Sequence, residues 1–250
     1  MFPQPEPATA GSPEFERFKL ESHNGDFRRS AMTWFNLGVL LIFYPGLSLL
    51  GIGEDPSAML RNMNQGILLF MLIVTVLMQW TIFLFNYAGV FLENTGLAGL
   101  GLTKIRAVDF AWAGAFLLAS NLLLSGLAWF LAQIGLPMPG EIGNLIPTST
   151  GGKVLWVGVS FTAGFCEEIA FRGYLMSRLR LLMKNNTWLV PTAISAVAFG
   201  ICHAYQGWPG FIVITVYGVM FSLLYIRTGR LWPCIIAHFF QDFGALFFPQ

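Results

Sequence analysis

Charged residues are scarce in this chain. Asp, Glu, Lys and Arg make up 11% of it, against about 25% in soluble domains. The long stretches between them exclude a large water-soluble core. Net charge is +1, so the chain lacks the broad basic face that nucleic acid requires, and no nucleic-acid partner is expected. Cysteine is equally sparse. Cys166, Cys202 and Cys234 lie far apart and none sits in a CxxC pair. An odd count without that spacing excludes a disulfide framework and a zinc finger; a free Cys in an apolar run packs as a small hydrophobe. Residues 1–31 are polar and Pro-rich, without the opening apolar stretch of a secretory signal. There is no GxSxG nucleophile elbow, no HExxH zinc helix and no internal repeat.

What is present is long apolar runs. Seven stand out, at roughly 33–51, 66–92, 108–135, 152–177, 188–204, 209–226 and 231–248, most of them near the ~20 residues that span a bilayer. Only helices or closed barrels satisfy the backbone in lipid. The runs lack the short alternating period of a barrel strand, so the expected fold is an all-α polytopic bundle of about seven transmembrane helices. Gly/Pro clusters at Gly51–Pro56, Gly135–Gly140 and Gly207–Gly210 read as turns between them. Alternate loops carry Arg17, Lys19, Arg28, Arg29, Lys104, Arg106, Arg178, Arg180, Lys184, Arg227 and Arg230 on one side, and only Arg61 and Lys153 on the other. This asymmetry predicts a cytoplasmic N-terminus in a multi-pass bacterial or archaeal cell-membrane protein. The mixed apolar and charged stretch from Glu14 to Arg29 fits either a surface-lying segment or a plain tail.

Charge inside a bilayer is costly, so intramembrane ionisable groups are functional candidates. Here they are concentrated in three runs: Glu167, Glu168 and Arg172 in the fourth, His203 in the fifth, His238 and Asp242 in the seventh. Glu168 and Arg172 are four apart and share a helix face, as do His238 and Asp242. Glu167 is rotated by about 100° from Glu168 and is free for another task. Counted from the cytoplasmic ends, Glu167, His203, His238 and Asp242 fall within about 12 Å of one depth at about 1.5 Å per residue. Glu168–Arg172 reads as a structural pair that fixes helix packing. A carboxylate and a histidine sharing a water can activate it, and a second histidine can stabilise an oxyanion. The same Glu167/His203/His238 set has the chemistry to hold a divalent metal such as zinc. Both readings lead to hydrolysis of a carbonyl compound.

The ordered motifs Glu167-Glu168-x-x-x-Arg172, Phe199-x-x-x-His203 and His238-x-x-x-Asp242 resemble those of the CPBP family, which includes the CAAX prenyl endopeptidases and bacteriocin-processing enzymes. The resemblance covers roughly residues 108–247. It divides the chain into a polar N-terminal cytoplasmic segment at 1–31, N-terminal membrane helices at 32–107 and a protease domain at 108–248. It implies an intramembrane endopeptidase that cuts a membrane-associated peptide or protein, prenylated or not. It also implies that Glu167 with His203 activates water, that His238 and Asp242 line the oxyanion side, and that Glu168 and Arg172 support the site. Family members are described both as metalloproteases and as metal-free glutamate enzymes. An ionised Asp242 would orient and charge His238; a protonated one could donate to the oxyanion. Two alternatives stand beside the endopeptidase: a non-catalytic peptide- or lipid-binding member in bacteriocin immunity, and a transporter with a proton relay.

Overall fold

Capping residues at the starts of the apolar runs set where the helices begin. In a computed structural model, which describes residues 27–49, 64–183 and 187–247, the chain forms seven helical rods and no strand among those residues. Ser30 caps α1 (Ala31–Leu49) through a reciprocal pair of bonds with Thr33. Asn64 Oδ1 accepts the Ile67 N–H at 2.9 Å and starts α2 (Gln65–Leu92). The Asp109 carboxylate reaches back to the Arg106 N–H at 2.8 Å to start α3 (Ala107–Gln133). Ser149 caps α4 (Thr150–Met183), and Pro233 stands in the first turn of α7 (Trp232–Gly244). In each case the cap or proline answers backbone N–H groups that have no partner inside the helix.

Two of the seven expected spans are short. α5 (Leu189–Ile201) and α7 have 13 residues each, about 20 Å at 1.5 Å per residue, against a hydrocarbon core of about 30 Å. Five helices are long and apolar enough to cross a membrane: α1, α2, α3, α4, and the last from Ala204 to Thr228. The expected break at Gly207–Gly210 is displaced. It falls earlier, at Cys202–Gln206, and α6 (Gly207–Thr228) already includes Pro209 in its first turn, where a missing N–H costs no helical bond. Gly207 enters α6 at φ +77°, a backbone region open to glycine at little cost. Gly51–Pro56 and residues 14–26 lie outside the described residues.

α4 is the axis of the bundle. Every residue from Ile169 to Met176 is buried, and this stretch packs on α5 while the preceding turns pack on α2 and α7. It is wound as a π-helix over Ala163–Glu167 and Ile169–Met176, a wide turn that recurs at functional sites. Gly164 lets α7 come close: a Cβ there would stand 2.9 Å from the Ile235 carbonyl and 2.9 Å from the Phe239 nitrogen. The outer faces of α1, α2 and α3 expose Ile42, Phe70, Leu77, Phe91, Leu118 and Leu122, as suits a lipid surface.

Two arginines of the expected loop-side charge are not solvated. Arg178 is fully buried against Glu93, with Nε 2.8 Å from Oε2. Arg230 grips Asp109 with Nε and Nη2, each at 2.7 Å. Both acids flank the α2–α3 connection, so it is fastened to α4 on one side and to the α6–α7 turn on the other. A buried charge must be paired, and a loop-by-loop count of Lys and Arg does not see the partner.

Candidate active site

The π-helical turns of α4 carry Glu167, Glu168 and Arg172. Arg172 Nη1 donates to Glu168 Oε1 at 2.8 Å, and both side chains are fully buried. The guanidinium carbon also lies 4.3 Å from the centre of the Phe199 ring on α5 and 5.0 Å from that of Phe221 on α6. A cation is attracted to such ring faces, so the pair links three helices.

Glu168 has a second partner on α7. His238 Nδ1 lies 2.8 Å from the same Oε1. A carboxylate paired with an arginine only accepts, so Nδ1 carries the proton. The other ring nitrogen, Nε2, then points toward Glu167 Oε2 at 3.9 Å and Asp242 Oδ2 at 3.6 Å. Both distances exceed a hydrogen bond. The orienting carboxylate for His238 is therefore Glu168, where the sequence reading gave that part to an ionised Asp242. The Asp242 backbone carbonyl accepts the Trp156 indole N–H at 2.9 Å, while its side chain is 32% exposed.

Glu167 faces differently. Its Oε1 accepts an N–H from the Gln79 amide of α2 at 2.8 Å. Its Oε2 is buried without a hydrogen-bond partner. Gln79 escaped the sequence reading, although an amide in the middle of a 28-residue apolar helix is itself a signal, since an amide away from water needs partners.

His203 stands outside the helix in which it was expected. α5 ends at Ile201, and His203 occupies the turn before α6. Its Nδ1 is 2.9 Å from the Phe199 carbonyl. A carbonyl only accepts, so Nδ1 holds the proton and neutral His203 keeps a lone pair on Nε2. The two imidazoles flank one ring, with centroids 4.8 Å (His203) and 6.2 Å (His238) from Phe199. Two helices and one turn thus bring Glu167, His238 and Asp242 together beside Glu168 and Arg172, with His203 against the shared Phe199 ring.

The metal expectation fares less well. Among the described residues no group of three or more His, Cys, Asp or Glu side chains is placed to hold a metal ion. The Nδ1 protons of His238 and His203 are held by Glu168 and by the Phe199 carbonyl, which leaves each Nε2 open. As placed, the donors of Glu167, His203 and His238 do not come together as such a group.

Residues 149–244 match the family model described as Type II CAAX prenyl endopeptidase Rce1-like. The match covers less than half of the chain. The matched segment contains all six site residues named above, and it runs from the start of α4 to the end of α7. It leaves out Ala107–Gln133, which the expected 108–248 unit included, and the whole of α2 with Gln79. Neither the comparison with curated proteins nor the comparison with solved structures found a match. The match to a family of endopeptidases lies in a chain with five membrane-length apolar helices, as an integral membrane protein has. The matched segment holds the six candidate residues, and the helices outside it supply part of their surroundings.

Proposed function

We propose that the protein is an intramembrane endopeptidase in which Glu167 and His203 activate a water molecule. The observation that carries this reading is the unpartnered, buried Oε2 of Glu167, 3.9 Å from the ring nitrogen of His238. A water at about 2.8 Å from each atom closes a triangle with ordinary hydrogen-bond lengths. Glu167 takes a proton from that water as its oxygen attacks the peptide carbonyl and passes it to the leaving amine as the C–N bond breaks, and neutral His203 Nε2 offers a second basic site. His238 lines the other side. To donate to the oxyanion it must carry a proton on Nε2, and with Nδ1–H held by Glu168 that makes it an imidazolium. Arg172 keeps Glu168 fixed for this purpose. Asp242, at 3.6 Å, adds charge near Nε2 without a hydrogen bond.

The substrate is a membrane-associated peptide or protein. The family description points to a prenylated CAAX C-terminus. The arrangement Lys104, Arg106, Arg180 and Arg227 against Lys153 still favours a cytoplasmic N-terminus once Arg178 and Arg230 are counted as buried. The test is cleavage of a prenylated CAAX peptide, and of an unprenylated membrane peptide, by detergent-purified wild type and Glu167→Gln, with and without a chelator. Cleavage by wild type alone, untouched by the chelator, is the expected result. Cleavage by both proteins sinks the role of Glu167. Binding of either peptide without turnover favours the non-catalytic reading.

A further inference from the structure

We infer that Gln79 is a positioning residue that decides which oxygen of Glu167 faces the reaction. The inference rests on the endopeptidase reading and deepens it with a residue outside the segment that matches the protease family. A carboxylate has two equivalent oxygens on a torsion that turns easily. In a buried site each oxygen seeks a donor. Gln79 gives one of them a donor: its amide nitrogen is 2.8 Å from Glu167 Oε1. The other, Oε2, is left without a protein partner on the His238 side.

The amide could face Glu167 with either end, and its neighbours decide which. Thr162 Oγ1 lies 2.6 Å from Gln79 Oε1 and 3.0 Å from the Val159 carbonyl. Both are acceptors, so the single hydroxyl proton lies between them with its shorter leg to Gln79. The hydroxyl could serve either end of the amide, so the choice falls to Glu167, whose carboxylate only accepts. The reversed amide would set its oxygen against the Glu167 carboxylate, two acceptors in contact. A chain therefore runs Thr162 to Gln79 to Glu167, from α4 to α2 and back to α4. Gln79 is 5% exposed and Thr162 is 5% exposed, so water does not replace the tether freely. Two of its three members stand one π-turn apart on the same helix, and α2 closes the loop from outside.

The measurement is kcat and KM for the prenylated CAAX peptide, with thermal unfolding in detergent as the control for folding. Gln79→Leu is expected to lower kcat by about 10–100-fold with little change in KM, the scale of a misplaced reacting group. Thr162→Val lowers kcat less, Thr162→Ser recovers most of that loss, and the double variant Gln79→Leu/Thr162→Val equals Gln79→Leu alone. This last result is the one a merely structural role would not give, because independent losses add. Should Gln79→Leu fail to fold, Thr162→Val against Thr162→Ser carries the test. A second readout needs no substrate: labelling of Glu167 by a hydrophobic carbodiimide, read by peptide mass. The tether shields Oε1, so Gln79→Leu labels several-fold faster than wild type. Unchanged labelling overturns the inference. So does an active wild type with an unaltered kcat in Gln79→Leu, and that result leaves the endopeptidase standing. An inactive wild type with faster labelling in Gln79→Leu overturns the endopeptidase and keeps the tether.

Discussion

Two buried carboxylates in this bundle are treated in opposite ways. Glu93 is saturated. Its Oε1 accepts from Thr33 at 2.7 Å and from Tyr174 at 2.5 Å, and its Oε2 from Arg178 at 2.8 Å. Arg178 in turn reaches Ser177 at 2.9 Å and Thr95 at 2.6 Å. Glu167 holds one bond, from Gln79, and an empty oxygen. Its neighbours share the deficit: Glu168 Oε2 and Arg172 Nε and Nη2 are buried without hydrogen-bond partners. Buried polar groups are nearly always satisfied, and leaving one open is expensive. A saturated charge network is what packing alone selects. An open one is what a site for water and a peptide carbonyl requires, because an atom already bonded has nothing to offer a reactant.

The largest effect that separates the two kinds of charge is on turnover. Glu167→Gln is expected to reduce cleavage by about 10²–10⁴-fold, the range for loss of a general base. Stability should hold, since the amide keeps the volume and the Gln79 contact while no partner of Oε2 is lost. Initial rates and thermal unfolding of the same preparation check both halves. A large drop in stability would place Glu167 with Glu93 as a structural acid.

Arg172→Ala comes next, because Arg172 belongs to both descriptions. It strands Glu168 in an apolar bundle, a loss of about 3–5 kcal/mol for removing one partner of a buried pair, and it frees the carboxylate that orients His238. Thermal unfolding in detergent should show the loss, and whatever folds should cleave poorly. Asp109→Asn is smaller and purely structural. Arg230 keeps Thr103 at 2.8 Å and the Lys104 carbonyl at 2.7 Å, so the cost is that of a charged hydrogen bond, about 1.5–3 kcal/mol. Turnover per folded molecule should stay near wild type. A selective loss of turnover would join the α2–α3 connection to the site.

How much of this was legible in the sequence follows the same division. The three motifs stand out because charge is rare in apolar runs, and their spacing brings Glu168 to Arg172 in a helix of either winding. The match of depths placed Glu167, His238 and Asp242 within reach, and they meet. What periodicity cannot carry is the partner across helices. Glu93–Arg178 and Asp109–Arg230 link positions 85 and 121 residues apart, so Arg178 and Arg230 read as solvated loop charge. Gln79 lies 88 residues from Glu167 and is uncharged, so a search for ionisable groups passes over it. His203 was assigned to a helix because its run is apolar throughout. The chain instead turns at Cys202, inside the bundle, where irregular backbone is tolerated once protein surrounds it.

Asp242→Asn is the smallest change and the sharpest about roles. At 3.6 Å from His238 Nε2 the carboxylate makes no hydrogen bond that the amide would break. Glu168, not Asp242, holds the ring. Replacing the charge removes some support for an imidazolium but adds an N–H that can donate to the oxyanion. The two effects oppose each other, and the expected change in kcat is within about tenfold, below what loss of a general base costs. Glu168→Gln, measured alongside, should cost more, because it weakens the bond that sets the His238 tautomer. If the order reverses and Asp242→Asn loses more than Glu168→Gln, the proton that matters travels through Asp242, and the orienting part assigned to Glu168 is wrong.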